Sequence, residues 1–582
     1  MKRPSLRRIL REFSPFRRDG IGALVGIVVG VTCQVLSPLV VAYAINQGVV
    51  DRNTGIIVGC VAVMATLIVG QVLGSYSELR AMGRFAERYL ADLRSRLLGH
   101  LHELDLDYFS TEPAGKVVSR LTSDVESLQQ FLQYGLSLLL RGILLLTLSA
   151  LIMFTQSWQL ALAVLVIVPV LYLAGRWYRP RAFGVQVGYR ESIADLLNHV
   201  NEALIGMRVV QAYSIEKQQQ REFASANDAA LDAKIEAGRV TSIYYAVIEF
   251  MQPVALAIVI GYGAVLADRG EIEVGTLIAF TLYLTRLFEP IQQFIELNSL
   301  MQAASAAYSR TFEFLDRQPM LRDQDGAREF RRGAGEVHVD DVTFRYAPDA
   351  PPAVADLDIH LEPGERIAVV GTSGAGKSTL AKLIGRFYDP TAGRVVIDGQ
   401  DLRDVKHAPL RRDVMVVPQE GFLFDGTIAD NIALGHPTAT RAELLAACER
   451  LGLADVLGRI PGGLDARIAN RGLSLSSGQR QLVALARAFV ADPAVIVLDE
   501  ATSNLDPATD ALVEHALVGL LDQRTSIVVA HRVGTALRAD RVIVLEHGRI
   551  VEDGAPDELA SREGAFARWV AAARAATTAA AS

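Results

Sequence analysis

Three stretches of this chain carry no charged side chain: residues 21–50, 54–77 and 142–175. Such runs leave little choice of fold. In hydrocarbon every backbone N–H and C=O must be satisfied inside the segment, so about 20 consecutive apolar residues become a spanning helix. The first two runs fit one span each. The third holds 34 residues, about 51 Å of helix, which is long for one span and short for two. Its centre reads Thr155-Gln-Ser-Trp-Gln159, a polar turn with an interfacial tryptophan, and predicts an antiparallel pair extending past Arg141 and Arg176. Runs 240–267 and 274–300 supply two more, giving six spans over approximately 21–47, 54–77, 135–155, 158–178, 243–267 and 274–300.

Basic residues set the expected orientation. The first 19 residues hold seven Lys or Arg and the 78–135 connection holds seven more, while the short loops near Arg52, Trp158 and Arg269 hold two between them. That asymmetry places both termini and the long connections in the cytoplasm, in a multi-pass protein of the cytoplasmic membrane. No cleavage-like site follows the basic N-terminus and the apolar run is too long for a signal peptide, so it is read as a retained first span. A net charge of −7 argues against nucleic acid as a partner. Cys33, Cys60 and Cys448 are scattered, which implies neither a disulfide frame nor a zinc site.

The remainder of the chain has a different grammar. A strand-like run, Arg366–Val370, feeds Gly371-Thr372-Ser373-Gly374-Ala375-Gly376-Lys377-Ser378-Thr379, and an apolar helix follows. Glycines let backbone N–H groups close around phosphate oxygens, the helix start adds its positive dipole, Lys377 neutralises charge and Ser378 is placed to hold Mg2+. Further on, the apolar run 495–498 ends in Asp499 and Glu500. Asp499 suits a magnesium shell and Glu500 suits polarisation of an attacking water.

Between them lies Leu475-Ser476-Ser477-Gly478-Gln479, and beyond them Asp506 and His531; Gln419 follows another strand-like run, 414–417. This ordered set resembles the nucleotide-binding domain of an ATP-binding cassette transporter over nearly all of 336–570. The resemblance implies ATP and Mg2+ as cofactors. It implies an adenine-stacking role for Tyr346, a magnesium-and-water link at Gln419, a switch role for His531 and a partner-facing role for Asp506. The connections of about sixty residues between spans two and three and between four and five resemble the helical intracellular loops of the exporter branch. Their turning points are Phe109–Gly115 and Glu202–Gly206.

The expected fold is therefore an all-α six-helix membrane domain with long cytoplasmic helical extensions (1–310), a linker (311–335), an α/β P-loop NTPase domain (336–570) and a flexible tail (571–582). The resemblance implies a half-size exporter, driven by ATP hydrolysis, for hydrophobic or amphipathic substrates such as lipid, drug or peptide. An importer on the same fold and an ATP-gated channel stay open as alternatives.

One chain carries one phosphate loop and one signature, and in the family the signature caps the nucleotide of the opposite subunit, so a second half-transporter is required. The signature departs from the family pattern, with Ser477 where glycine is usual; Asn470 and Asn504 are further departures. A symmetric homodimer with a tolerated serine is one account. Several departures beside an intact hydrolytic set favour the other, a heterodimer with unequal sites. In the membrane, Glu249 interrupts span five, and Arg286 and Glu289 interrupt span six. Intramembrane charges face cavities or each other, so all three are candidates to line a transport cavity, with Arg286 and Glu289 close enough in sequence to neutralise one another.

Overall fold

The computed structural model describes residues 6–418, 421–469, 472, 474–499 and 507–581. The chain divides into two units, Met1–Leu104 with Phe109–Gln318, and Asp105–Tyr108 with Pro319–Ser582.

The first unit is helical. Among the described residues six helices are long and apolar enough to cross a membrane: Arg11–Val50, Thr54–Glu103, Ala114–Gln156, Trp158–Ile205, Glu216–Asp268 and Val274–Leu315. All run well past the apolar runs, because amphipathic helix continues where the hydrocarbon requirement stops. The first two cross backbone against backbone. A Cβ on Gly26 would stand 2.8 Å from the Gly74 carbonyl oxygen, so only glycine permits the approach, the small-residue packing expected where lipid supplies no hydrophobic drive. Ile27, Val31, Val35, Tyr283 and Phe288 fill the adjoining core. Thr155 and Gln156 end one helix, and Ser157 caps the next by accepting from Leu160 N, as the polar centre of that run predicts.

The second unit is α/β. Its strands are β1 (Val337–Phe344), β2 (Val354–Leu361), β3 (Arg366–Gly371), β4 (Ala392–Ile397), β5 (Gln400–Asp401), β6 (Val414–Val417), β7 (Gly426–Thr427), β8 (Arg467–Ile468), β9 (Val495–Asp499), β10 (Thr525–Val529), β11 (Arg541–Glu546) and β12 (Arg549–Gly554). One sheet has the order β2-β1-β4-β5, a second β12-β11-β3-β10-β9-β6, and β7 pairs with β8. In the second sheet β6, β9, β10, β3 and β11 are parallel. Such strands are covered on both faces and read as continuous apolar runs. Along β9, Val495 and Val497 enter one core while Ile496 and Leu498 enter another.

Two expected boundaries differ. The last membrane helix continues to Leu315, and the linker is stitched into the second unit. There Phe330 is buried, and the N–H groups of Gly333 and Gly335 donate to Asp398 at 2.9 and 2.8 Å. The tail expected to fray is helix over Ala565–Ala581; a run of alanine, the strongest helix former, favours that outcome over coil. At the expected turning points lie short helices, Leu106–Thr111, Ala114–Leu121 and Met207–Tyr213. Asp105 takes part in the second unit by accepting from the N–H groups of Met320 and Leu321.

Candidate nucleotide site

The site forms where parallel strands end. Val369 of β3, Val529 of β10 and Asp499 of β9 lie level across the sheet. The carboxyl ends of β3, β9 and β10 therefore deliver Gly371, Asp499 and, two residues past Val529, His531 to one edge of the sheet, the place where open α/β sheets bind ligands.

The loop after β3 holds its shape through glycine. Gly371 has φ 151°, and a Cβ there would collide with the Leu545 carbonyl oxygen. Gly376, at φ 103°, opens the helix Lys377–Ile384 with no side-chain cap. The first-turn N–H groups thus receive no acceptor from a neighbouring side chain and suit an anion. Lys377 is 6% exposed, and its Nζ folds back to donate to the carbonyls of Gly371 and Thr372 at 2.8 and 2.9 Å. Burial draws its ammonium below the usual lysine range, and the Asp499 carboxylate pulls the other way. Leu380, Leu383 and Ile384 anchor the helix in the core shared with β1 and β2.

The donor set fits a magnesium ion. Ser378 presents an exposed hydroxyl on the first turn, and the half-buried Asp499 carboxylate makes no side-chain hydrogen bond or ion pair among the described residues. Hard oxygen donors beside a phosphate cradle are what that ion takes. Tyr346, 45% exposed, has its hydroxyl 3.1 Å from Thr379 Oγ1. Sequence reading missed its neighbours. Tyr388 lies edge-on at 5.4 Å and Lys382 Nζ is 5.8 Å from the Tyr346 ring centre. A second lysine and an aromatic downstream of the loop were the available signals.

The signature segment is built in another core. Ser476 caps the helix Ser477–Ala491 in a reciprocal box with Gln479, while Leu482, Val483 and Leu485 pack with Ile428, Leu444 and Cys448. Leu475 is buried and its carbonyl accepts from Arg480 at 2.7 Å. Ser477 is exposed and sits in ordinary right-handed helix; its backbone asks for no glycine. Gln419, Asn470, Glu500, Asn504 and Asp506 lie outside the described residues.

Of the membrane charges, Arg286 donates to Ser37 Oγ of the first span at 2.9 Å, and its second terminal nitrogen is buried without a partner. Glu249 and Glu289 are exposed, and no ion pair joins either to Arg286 among the described residues. The structure adds a buried charge that sequence reading left at a span end. Glu78 accepts from Ser137 and lies 3.7 Å from Arg141.

Comparison with known proteins gives concordant results. A family model described as the ABC transporter transmembrane region matches residues 21–291, and one described as ABC transporter matches 354–503. An uncharacterized ABC transporter ATP-binding protein of Bacillus subtilis (strain 168) is 32% identical over 567 residues, 97% of this chain and 94% of the relative. An ATP-dependent lipid A-core flippase of Syntrophus aciditrophicus (strain SB) is 32% identical over 505 residues, 86% of this chain and 84% of the relative. Among solved structures, a bacterial Atm1-family ABC exporter with ATP bound superposes with a TM-score of 0.81 at 27% identity, over 96% of this chain and 98% of that one.

Proposed function

This chain belongs to the ATP-binding cassette transporter family, as an exporter-type membrane region fused to its ATPase, and from that premise we propose that it is one half of a dimer exporting amphipathic molecules across the cytoplasmic membrane. The carrying observation is that the chain holds one phosphate loop, Gly371–Thr379, and one signature, Leu475–Gln479. In the family the signature caps the nucleotide of the opposite subunit, so each nucleotide takes the loop of one chain and the signature of another. ATP's preference for the closed dimer shifts the population between cavity orientations, and hydrolysis resets it. The soluble unit and both termini lie on the cytoplasmic side, as the lysine and arginine asymmetry supports.

The residue roles are those the family resemblance implies. The loop N–H groups and Lys377 hold the phosphates, and Tyr346 stacks on adenine. Ser378, Asp499 and Gln419 hold Mg2+, which neutralises phosphate charge when bound. Glu500 orients the attacking water, with His531 at the γ-phosphate and Asp506 toward the partner. Leu475–Gln479 faces the partner's nucleotide. Arg286, with a buried nitrogen still to be satisfied, lines the transport cavity with Glu249 and Glu289. The flippase relative supports a lipid-like cargo.

Ser477 with Asn470 and Asn504 favours a heterodimer whose hydrolysing site uses this chain's phosphate loop. The ordinary backbone at Ser477 favours a second reading, a homodimer that tolerates serine. ATPase assay of the chain alone in a lipid bilayer, with Glu500→Gln as control, separates them. Turnover abolished by the substitution means a competent homodimer; a folded, ATP-binding chain without turnover means the partner must supply a signature.

A further inference from the structure

Away from the nucleotide site, β1 and β2 bring two histidines and a glutamate together. The strands pair antiparallel with His338 directly opposite His360. Val337, Val339, Ile359 and Leu361 enter the core, so the two-residue alternation of a strand sends both imidazoles to the other face. The ring centres are 4.1 Å apart at a 46° tilt, with the two Nδ1 atoms 3.0 Å apart. Glu336, just before β1, has Oε1 3.1 Å from His338 Nε2 and 3.9 Å from His360 Nε2. One ligand atom from each residue lies within 4.8 Å of the other two.

Between neutral rings, the Nδ1 contact requires one nitrogen to donate a proton and the other to accept it. An ion with bonds of about 2.0–2.2 Å holds its neighbouring ligand atoms roughly 3–4 Å apart, and Glu336 Oε1 stands 3.1 and 3.9 Å from the two Nε2 atoms. Two imidazoles with one carboxylate select a borderline transition ion over magnesium or calcium, which prefer oxygen throughout. Glu336 and His338 are half-buried and His360 is exposed, so water can complete the coordination.

We propose that Glu336, His338 and His360 form a divalent transition-metal site of the zinc class, an ion clip between β1 and β2. Its ligands are none of the nucleotide-site residues. Binding stabilises the folded second unit, because the unfolded chain has no preformed site.

The test uses full-length protein without a polyhistidine tag, stripped with chelator and placed in lipid nanodiscs. Zn2+ is titrated by calorimetry, and thermal melting is followed with and without Zn2+. Expected are one tight ion per chain and a higher melting temperature. The double variant His338→Ala/His360→Ala weakens that binding by roughly 100-fold or more, and Glu336→Gln by roughly tenfold, while ATP binding stays unchanged. Should the alanine pair fail to bind ATP, His338→Asn/His360→Asn carries the test with side-chain volume preserved. A Zn2+ isotherm unchanged in the double variant, or no stoichiometric Zn2+ binding by the parent, overturns the proposal.

Discussion

Two helices of the second unit start at small-residue loops, and they start in opposite ways. Lys377–Ile384 follows Gly376 without a side-chain cap, and its buried lysine is turned back onto the loop's own carbonyls. Ser477–Ala491 supplies its own cap. Ser476 Oγ accepts from Gln479 N at 3.2 Å, and Gln479 Oε1 accepts from Ser476 N at 2.9 Å. The first start needs acceptor oxygens from a bound anion; the second has satisfied itself from neighbouring residues. The phosphate loop and the surface proposed to meet a partner's nucleotide therefore differ already in how each treats its first-turn N–H groups.

The strongest way to break this contrast is Lys377→Ala. It removes the charge of the open loop and leaves two carbonyls without their donor, so ATPase activity falls by about 100-fold or more. Melting with and without ATP checks that the unit still folds; activity retained within a few-fold would mean the loop works without its lysine. Gly371→Ala attacks the loop's shape instead. With φ at 151° and the Leu545 carbonyl in the way, the substitution costs about 2–3 kcal/mol, read as loss of ATP affinity together with a lower denaturation midpoint.

Ser476→Ala sharpens the other half of the comparison. Loss of the reciprocal cap costs about 1 kcal/mol, visible in chemical denaturation. Turnover falling far beyond that loss would assign Ser476 to the partner's nucleotide; turnover tracking stability would leave it a cap alone. Ser477→Gly is gentler, below about 1 kcal/mol, because the backbone there is ordinary helix. Under the heterodimer reading it raises the ATPase of the chain alone, and no change favours the tolerated serine.

The smallest effect concerns Cys448, which shares the signature helix's core. Burial pushes its thiol up to about 11, so the folded unit resists maleimide at pH 8, where the thiolate is scarce. Faster labelling in Ser476→Ala, followed by mass spectrometry, would show that the cap helps hold that core closed.

Much of this was legible in sequence because its physics is local. Charge-free runs forced spanning helices, and Gly371–Thr379 with the apolar run into Asp499 announced a phosphate cradle at strand ends. Where the sequence misled, a local rule was misapplied or a distant partner was needed. The alanine tail was a helix signal read as fraying. Glu78 stood at the edge of an apolar run and looked like the end of a span, yet it is buried against Ser137 and Arg141. Arg286 and Glu289, three residues apart, invited a pairing; Arg286 instead reaches Ser37 on the first span.

By itself, then, the sequence determined the two-part architecture, six candidate crossings and the ATP-binding motif set, since each follows from a run or an ordered motif, and the family resemblance implied a second chain. Tertiary structure decided what depends on register and approach. Gly26 and Gly74 meet backbone to backbone, Lys377 curls onto its own loop, and His338 faces His360 from 22 residues away. Contacts between residues distant in sequence exist only once strands pair and helices cross, and no local pattern encodes where that happens.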